Sequence, residues 1–426
     1  MVLSGKGHLR FMTVLAALIA LPAATPAFAG LWSAMQDFKR PNMRWGLLEF
    51  HPYAKVTETY DSNIYLVPED KNTGARVGGG VVGSWITSGL VGAKLNLPIS
   101  AMHNVGVDYN FEGLAYSKQA SANNTIHQRA DLAYGYKGPM GISGKIRDNY
   151  LNTTDPAFSE LVEREQRWQN TLGGDVEYAP LGGNLFAGVD VAHTAHKYVG
   201  PTLGALLNRY EQSAGLRAGY KVMPKTRVYL AYHRAITHYS AGRRANHKDN
   251  LLDAGIEGDI APKVKGQIQA GLSNRLYDEA PVTTQPTSRN LFSIGTKLTW
   301  KPQDRCTFNL GLMRALQEST FGANRFYESS LIALGGQHKF PHKLTAGVNL
   351  SVGWDKYPIA NSPTTGVSVM NRRDDIYQQA LTLDYAVQEW MRAGIGYLHR
   401  TRWAKNFSDQ FNYEDHQTSI NLGLTF

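Results

Sequence analysis

The residues able to do chemistry in this chain of 426 residues are mostly charges spaced along extended segments. Asp374-Asp375 and Asp415-His416 bring together carboxylates and an imidazole, groups that activate water in hydrolases. Neighbouring residues on a strand point to opposite faces, which argues against a dyad built from either pair. Gly78-Gly79-Gly80-Val81-Val82-Gly83 fits G-x-G-x-x-G but leads into a strand pattern rather than a helix, so the dinucleotide reading fails its context. The His193/His196 and His338/His342 spacings suggest metal. On strands, however, their parity differs or puts them at an interface, and structural histidines fit better. The chain contains no H-E-x-x-H, Walker A or G-x-S-x-G pattern. The expectation is no catalytic, cofactor or metal residues, and no nucleic-acid partner.

The charges gain meaning from the elements that carry them. Val105, Val107, Tyr109 and Phe111 alternate with Asn104, Gly106, Asp108 and Asn110. Leu344, Ala346, Val348, Leu350, Val352 and Trp354 alternate with Thr345, Gly347, Asn349, Ser351, Gly353 and Asp355. A period of two gives a strand with one apolar and one wet face. About eighteen such strands are predicted, centred on Val56, Val91, Val107, Leu132, Ile146, Leu172, Val189, Leu216, Leu230, Ile256, Ile268, Leu298, Leu310, Leu331, Leu350, Leu383, Ile395 and Leu422. Their polar faces collect Lys94, Arg129, Lys145, Arg147, Arg217, Arg227, Lys265, Arg275, Lys297, Arg392, Arg400 and Arg402, mixed with carboxylates. Arg234, Arg314 and Glu58 fall on apolar faces, which predicts a bulge or a rim position at each arginine.

The connections alternate in length. Short ones (137–140, 223–226, 261–263, 301–305, 340–343) follow long polar ones (61–80, 153–165, 278–288, 358–372, 404–411). That parity is the habit of outer-membrane barrels, with short periplasmic turns and longer extracellular loops. The last segment, Ile420, Leu422, Leu424 and Phe426 on one face, reads as the closing strand, with Phe426 an aromatic at the membrane interface.

Composition agrees. The 42 glycines suit barrel bends and close backbone contacts, and the 22 tyrosines and 8 tryptophans suit two membrane interfaces. Cys306, the only cysteine, excludes a disulfide scaffold. Lys6, His8 and Arg10, the apolar run 11–21 and Ala27-Phe28-Ala29 read as a secretory leader over 1–29. Residues 30–46 read as a short periplasmic arm without clear periodicity, and 47–426 as one transmembrane antiparallel β-barrel, all-β. No run of 18 apolar residues predicts a transmembrane helix. A ring of this size encloses an aqueous lumen, here with a basic excess that matches the net charge of +9.

The segment His51-Pro52-Tyr53-Ala54-Lys55-Val56-Thr57-Glu58-Thr59-Tyr60-Asp61-Ser62-Asn63-Ile64-Tyr65 resembles the first-strand signature of the putative β-barrel porin 2 family, with its Tyr-Asp-Ser-Asn-Ile core at residues 60–64. The resemblance is specific over about fifteen residues and architectural elsewhere. It implies an outer-membrane channel, with a role in passing exopolysaccharide, since members often accompany polysaccharide assembly genes. The expected function is therefore a passive exopolysaccharide channel. Its alternatives are a diffusion porin for small anionic or sugar solutes, a plugged structural or adhesive barrel, and, last, a loop-borne hydrolase. The expected partners are outer-membrane lipid and lipopolysaccharide, the barrel-insertion machinery acting through the C-terminal strand, polysaccharide, and periplasmic export components.

Overall fold

Among the described residues nineteen strands form a single sheet, and β19 (Tyr413–Thr425) returns to pair with β2 (Leu48–Asp61), closing a ring of eighteen antiparallel strands. The computed structural model describes residues 43–68, 80–155, 164–241, 244–278, 287–319, 324–361, 368–405 and 411–426. The predicted leader 1–29 and the arm as far as residue 42 lie outside them. The end of the arm departs from expectation: β1 (Met43–Trp45) pairs with the start of β2.

In chain order the remaining strands are β3 (Ser84–Pro98), β4 (His103–Tyr116), β5 (Thr125–Lys137), β6 (Ile142–Thr153), β7 (Arg167–Tyr178) and β8 (Leu185–Tyr198). Then come β9 (Arg209–Met223), β10 (Thr226–Tyr239), β11 (His247–Ala261), β12 (Val264–Tyr277), β13 (Ser288–Gln303) and β14 (Cys306–Glu318). The last are β15 (Phe326–Lys339), β16 (Leu344–Asn361), β17 (Ser368–Ala386), β18 (Met391–Lys405) and β19. Each of the eighteen predicted centres falls in its own strand. The loop between β4 and β5 carries α1 (Ala120–Asn123), and that between β8 and β9 carries α2 (Pro201–Leu207). Both lie at the end of the barrel with the longer connections, the extracellular end. Tight turns such as 224–225, 262–263 and 304–305 mark the periplasmic end. Lys263 takes a φ of 63° to reverse the chain in two residues.

The faces invert the order of a water-soluble sheet. Leu216, Leu230 and Ile420 are 61%, 63% and 65% exposed, whereas Glu257, Asp374 and Arg402 are almost completely buried. Apolar residues on the outside and charges inside require lipid around the ring. Arg234 stays on the outer face without a bulge, because the β9–β10–β11 registers run unbroken past it. It lies five residues from the extracellular end of β10, which matches the rim alternative. Glu58 also faces outward, where the Thr87 hydroxyl donates to it at 2.7 Å. At Arg314 the ladder itself stops: β13 and β14 pair no higher than Ile294 and Arg314. Above that point Leu316 and Phe326, which continue the outer parity, pack against the inner-face Tyr277 and Leu291. The extracellular ends of β14 and β15, at Leu316 and Phe326, therefore lean over the lumen.

Leu230→Arg, on the outer face, should cost about 2–4 kcal/mol in reversible unfolding from lipid vesicles. Asn349→Arg, on the inner face, should cost much less.

Candidate functional site: the lumen wall

All twelve basic residues predicted for the wet face lie on the inner wall, because strand alternation places each opposite the exposed apolar positions. They divide into two populations. In the first, guanidinium groups are locked to carboxylates carried by other strands. Arg217 on β9 meets Glu177 at 2.5 Å and Glu257 at 3.2 Å, and Arg227 on β10 reaches the same two carboxylates. Phe186 and Tyr229 support this cluster, with the Arg227 guanidinium 4.4 Å from the Phe186 ring centre and Arg217 5.6 Å from that of Tyr229. The rings lie flat on neighbouring backbone at Gly219 and Gly255, where an added Cβ would fall within 2.5 Å of ring atoms. Glycine here makes room for the aromatic and so sets the guanidinium height.

Towards the extracellular end the locks are deeper. Arg275 on β12 bonds Asp249 at 2.7 and 2.8 Å and Glu318 at 2.5 Å, while the His247 Nε2 lies 2.7 Å from Glu318. Arg209, Glu211 and His196 form a second lock, with Arg209 Nε donating to Glu211 at 2.8 Å. On the opposite wall, Asp374 accepts from Arg372 at 2.8 Å and from Arg402 at 2.7 Å, and Asp415 accepts from Arg400 at 2.7 Å. A charge this buried is stable only with its partner, and breaking such a pair costs about 3–5 kcal/mol.

The second population faces water. Lys265 is 70% and Arg129 60% exposed along their side chains, and Lys297 is also exposed. Lys94 lies 3.6 Å from Asp108, and Lys265 lies 3.5 Å from Asp259, both loose contacts. Lys145 is half-buried on the inner wall beside Arg147, which pairs with Asp175 at 3.1 Å. Arg392 occupies the first turn of wall above the periplasmic end of β18. The expected mixed lining with a basic excess is thus resolved: most of these arginines are structural cross-links, and Lys265, Lys297 and Arg129 are the exposed cations among the twelve.

The extracellular end is narrowed by ordered chain. Residues 62–68 turn inward, so that Ile64 packs on the inner-face Ile86 and Tyr116. The Tyr65 hydroxyl accepts from Asn123 of α1 at 2.8 Å, and Leu207 of α2 packs on Tyr198. Tyr116 is buried by this packing, and the inner-face Tyr277 by Leu316 and Phe326 at the extracellular ends of β14 and β15. The long connections 61–80 and 358–372 are described only in part: 69–79 and 362–367 lie outside the described residues.

The Tyr-Asp-Ser-Asn-Ile segment has a definite task in this geometry. Asp61 accepts from the Asn63 backbone N–H at 2.8 Å, an Asx turn at the rim. The same residues cross the closing seam to β19. Gln417 donates to Asp61 at 2.8 Å, Ser62 donates to Asp415 at 3.2 Å, and Asn63 donates to the Glu414 carbonyl at 3.1 Å. Asn63 also exchanges two bonds with the Val67 backbone, fixing the inward bend. At the other end of the seam the Phe426 N–H donates to the Pro52 carbonyl at 3.0 Å, and its ring stacks on Trp390 at 5.8 Å.

The hydrolytic pairs separate as their spacing requires. Asp374 and Asp415 point into arginine locks, whereas Asp375 bonds outer-face Arg373 and His416 sits outside. His193 is outward and exposed, while His196 is inward against Glu211 at 3.3 Å. His338 lies beside Cys306 Sγ at 3.0 Å, and His342 belongs to the turn 340–343. A different group, His399, Glu414 and His416, comes together across β18 and β19. Only strand register brings it together, so sequence spacing gave no signal for it.

A closed ring of eighteen antiparallel strands, apolar outside and charged within, defines an outer-membrane β-barrel of the porin type. The chain belongs to the putative beta-barrel porin 2 family, whose model matches residues 182–426; the signature at 51–65 precedes the matched part. A search of curated proteins found no matching sequence. Among solved structures, OccAB4 of Acinetobacter baumannii is 13% identical, with a TM-score of 0.46 over 91% of this chain and 100% of that one. OccAB3 of the same organism is 9% identical, with a TM-score of 0.47 over 88% and 99%. A mutant of the ferric enterobactin receptor PfeA of Pseudomonas aeruginosa is 9% identical, with a TM-score of 0.43 over 88% and 80%.

The two populations of charge should respond differently to removal. Arg275→Ser strands Asp249 and Glu318 and should lower unfolding stability by about 3–5 kcal/mol. Lys297→Ser should leave stability within about 0.5 kcal/mol of the parent, yet lower anion preference in reversal-potential measurements.

Proposed function

We propose that the barrel is a passive conduit through which an acidic polysaccharide leaves the periplasm. The observation that carries this reading is the placement of the inner-wall lysines, of which Lys265 and Lys297 are exposed and Lys94, Lys145 and Lys221 half-buried. Lys94, Lys145, Lys221, Lys265 and Lys297 all lie on the inner wall in the periplasmic half of their strands. A low-dielectric wall focuses their field on the mouth that a polymer from the periplasm meets first. Asp108, Asp175 and Asp259 stand among them, so each contact with a carboxylate-bearing sugar stays weak enough to release. The family resemblance supports the same cargo.

The narrowed extracellular end favours a second reading, a plugged structural barrel. Passage of polymer requires the inward segment 62–68, α2 and the ends of β14 and β15 at Leu316 and Phe326 to yield, whereas a plug would stay shut. A diffusion porin for small anions shares the lysine wall but has no need of polymer-length contacts.

Planar-bilayer recordings with a polyuronate added to one side at a time distinguish these. The conduit predicts steady openings, blocked more strongly from the periplasmic side, and weaker block in Lys94→Ser/Lys297→Ser. Neutral dextran should leave the current unchanged. A silent but correctly inserted barrel supports the plug, and equal insensitivity to both polymers removes polysaccharide as the cargo.

A further inference from the structure

On the outer face, beside the closing seam, His399 of β18 lies directly across from His416 of β19. Their rings stack at 4.6 Å with planes 10° apart. Glu414 reaches both: its Oε1 lies 3.1 Å from His399 Nε2 and 3.3 Å from His416 Nε2. The three ligand atoms all lie within 4.8 Å of one another. We propose that His399, Glu414 and His416 form a binding site for a divalent transition-metal ion, zinc being the best match.

Two of the three donor separations suit a metal, and a turn of the stacked imidazoles would converge both Nε2 lone pairs on one ion. A tetrahedral ion with ligands at about 2.0–2.1 Å separates ligand atoms by roughly 3.3–3.4 Å, close to the two His–Glu distances. Two imidazoles and one carboxylate, with a position left open for water, make a ligand set that zinc accepts. His416 Nδ1 lies 2.9 Å from the Tyr397 hydroxyl, which can orient the ring so that Nε2 faces the site. An anion such as a lipid phosphate would have to meet the Glu414 carboxylate head-on, so the site selects cations.

Its height is informative. Tyr397 and Tyr60 face the same residue, Thr418, from the two sides of β19, and Tyr60 packs on Trp85 at 5.2 Å. These rings mark the outer aromatic girdle, and His416 lies one outward step above them, at headgroup level. A bound ion would tie β18 to β19 where β19 also carries the seam to β2.

Tag-free protein in detergent, titrated with zinc by calorimetry, tests this. The expected result is one saturable equivalent and a raised unfolding temperature. Cobalt in place of zinc should give the visible absorption of a tetrahedral site. His416→Ala and His399→Ala should abolish binding, Glu414→Gln should weaken it, and Tyr397→Phe should weaken it about tenfold. His238→Ala, on another part of the outer face, should change nothing. Wild-type protein without saturable zinc binding, or stoichiometry that survives both histidine substitutions, would overturn the site.

Discussion

Lipid offers no hydrogen bonds, so every backbone N–H and C=O that crosses it must find a partner within the protein. For a chain of strands the solution is a closed ring. Here closure falls on the β19–β2 ladder, and the chemistry of the two rims is arranged to hold it. Asp61, Ser62 and Asn63 bond across the seam at the extracellular end, and the terminal Phe426 backbone bonds Pro52 at the periplasmic end. The same constraint dictates the faces. Once the outside is lipid, each strand has to alternate, and the polar half of every strand is sent inward.

Sending so many charges inward creates a second problem. A buried guanidinium or carboxylate is costly unless paired, and the inner wall answers with locks that span several strands. Arg217 and Arg227 share two carboxylates from β7 and β11, with Phe186 and Tyr229 as floor and two glycines giving the rings space. The locks concentrate where ordered segments fill the extracellular end. The periplasmic half carries the inner-wall lysines, with Lys265 and Lys297 exposed to water. Cross-linking and exposed charge therefore fall largely to different side chains: most arginines hold the wall, while Lys265 and Lys297 stand exposed.

Much of this was legible from the residues. All eighteen strand centres were placed because alternation between lipid and water is strict, and Leu230 or Ile420 has only one face to choose. The inward face of the twelve basic residues followed from the same parity. What parity does not contain is register, and the misses share that cause. The partners of Arg217 lie forty residues away in either direction along the chain, at Glu177 and Glu257. His399 and His416 meet only because β18 and β19 pair at that step, whereas the spacings that first suggested metal, His193/His196 and His338/His342, bring no such group together. The extracellular ends of β14 and β15 broke parity outright. Leu316 and Phe326 follow the outer pattern but are buried, because β14 leaves β13 above Arg314 and the pair leans inward.

The central claim is a wet, charged wall inside and a lipid-facing wall outside, and alternate-residue accessibility on one strand tests it most directly. In a Cys306→Ser background, Lys297→Cys and Thr299→Cys on β13 would be compared with Thr296→Cys and Leu298→Cys, in lipid vesicles, using a membrane-impermeant maleimide. The structure predicts rapid labelling at 297 and 299 and protection at 296 and 298. The reverse pattern would place water outside and a packed core within, and would contradict the barrel as a conduit.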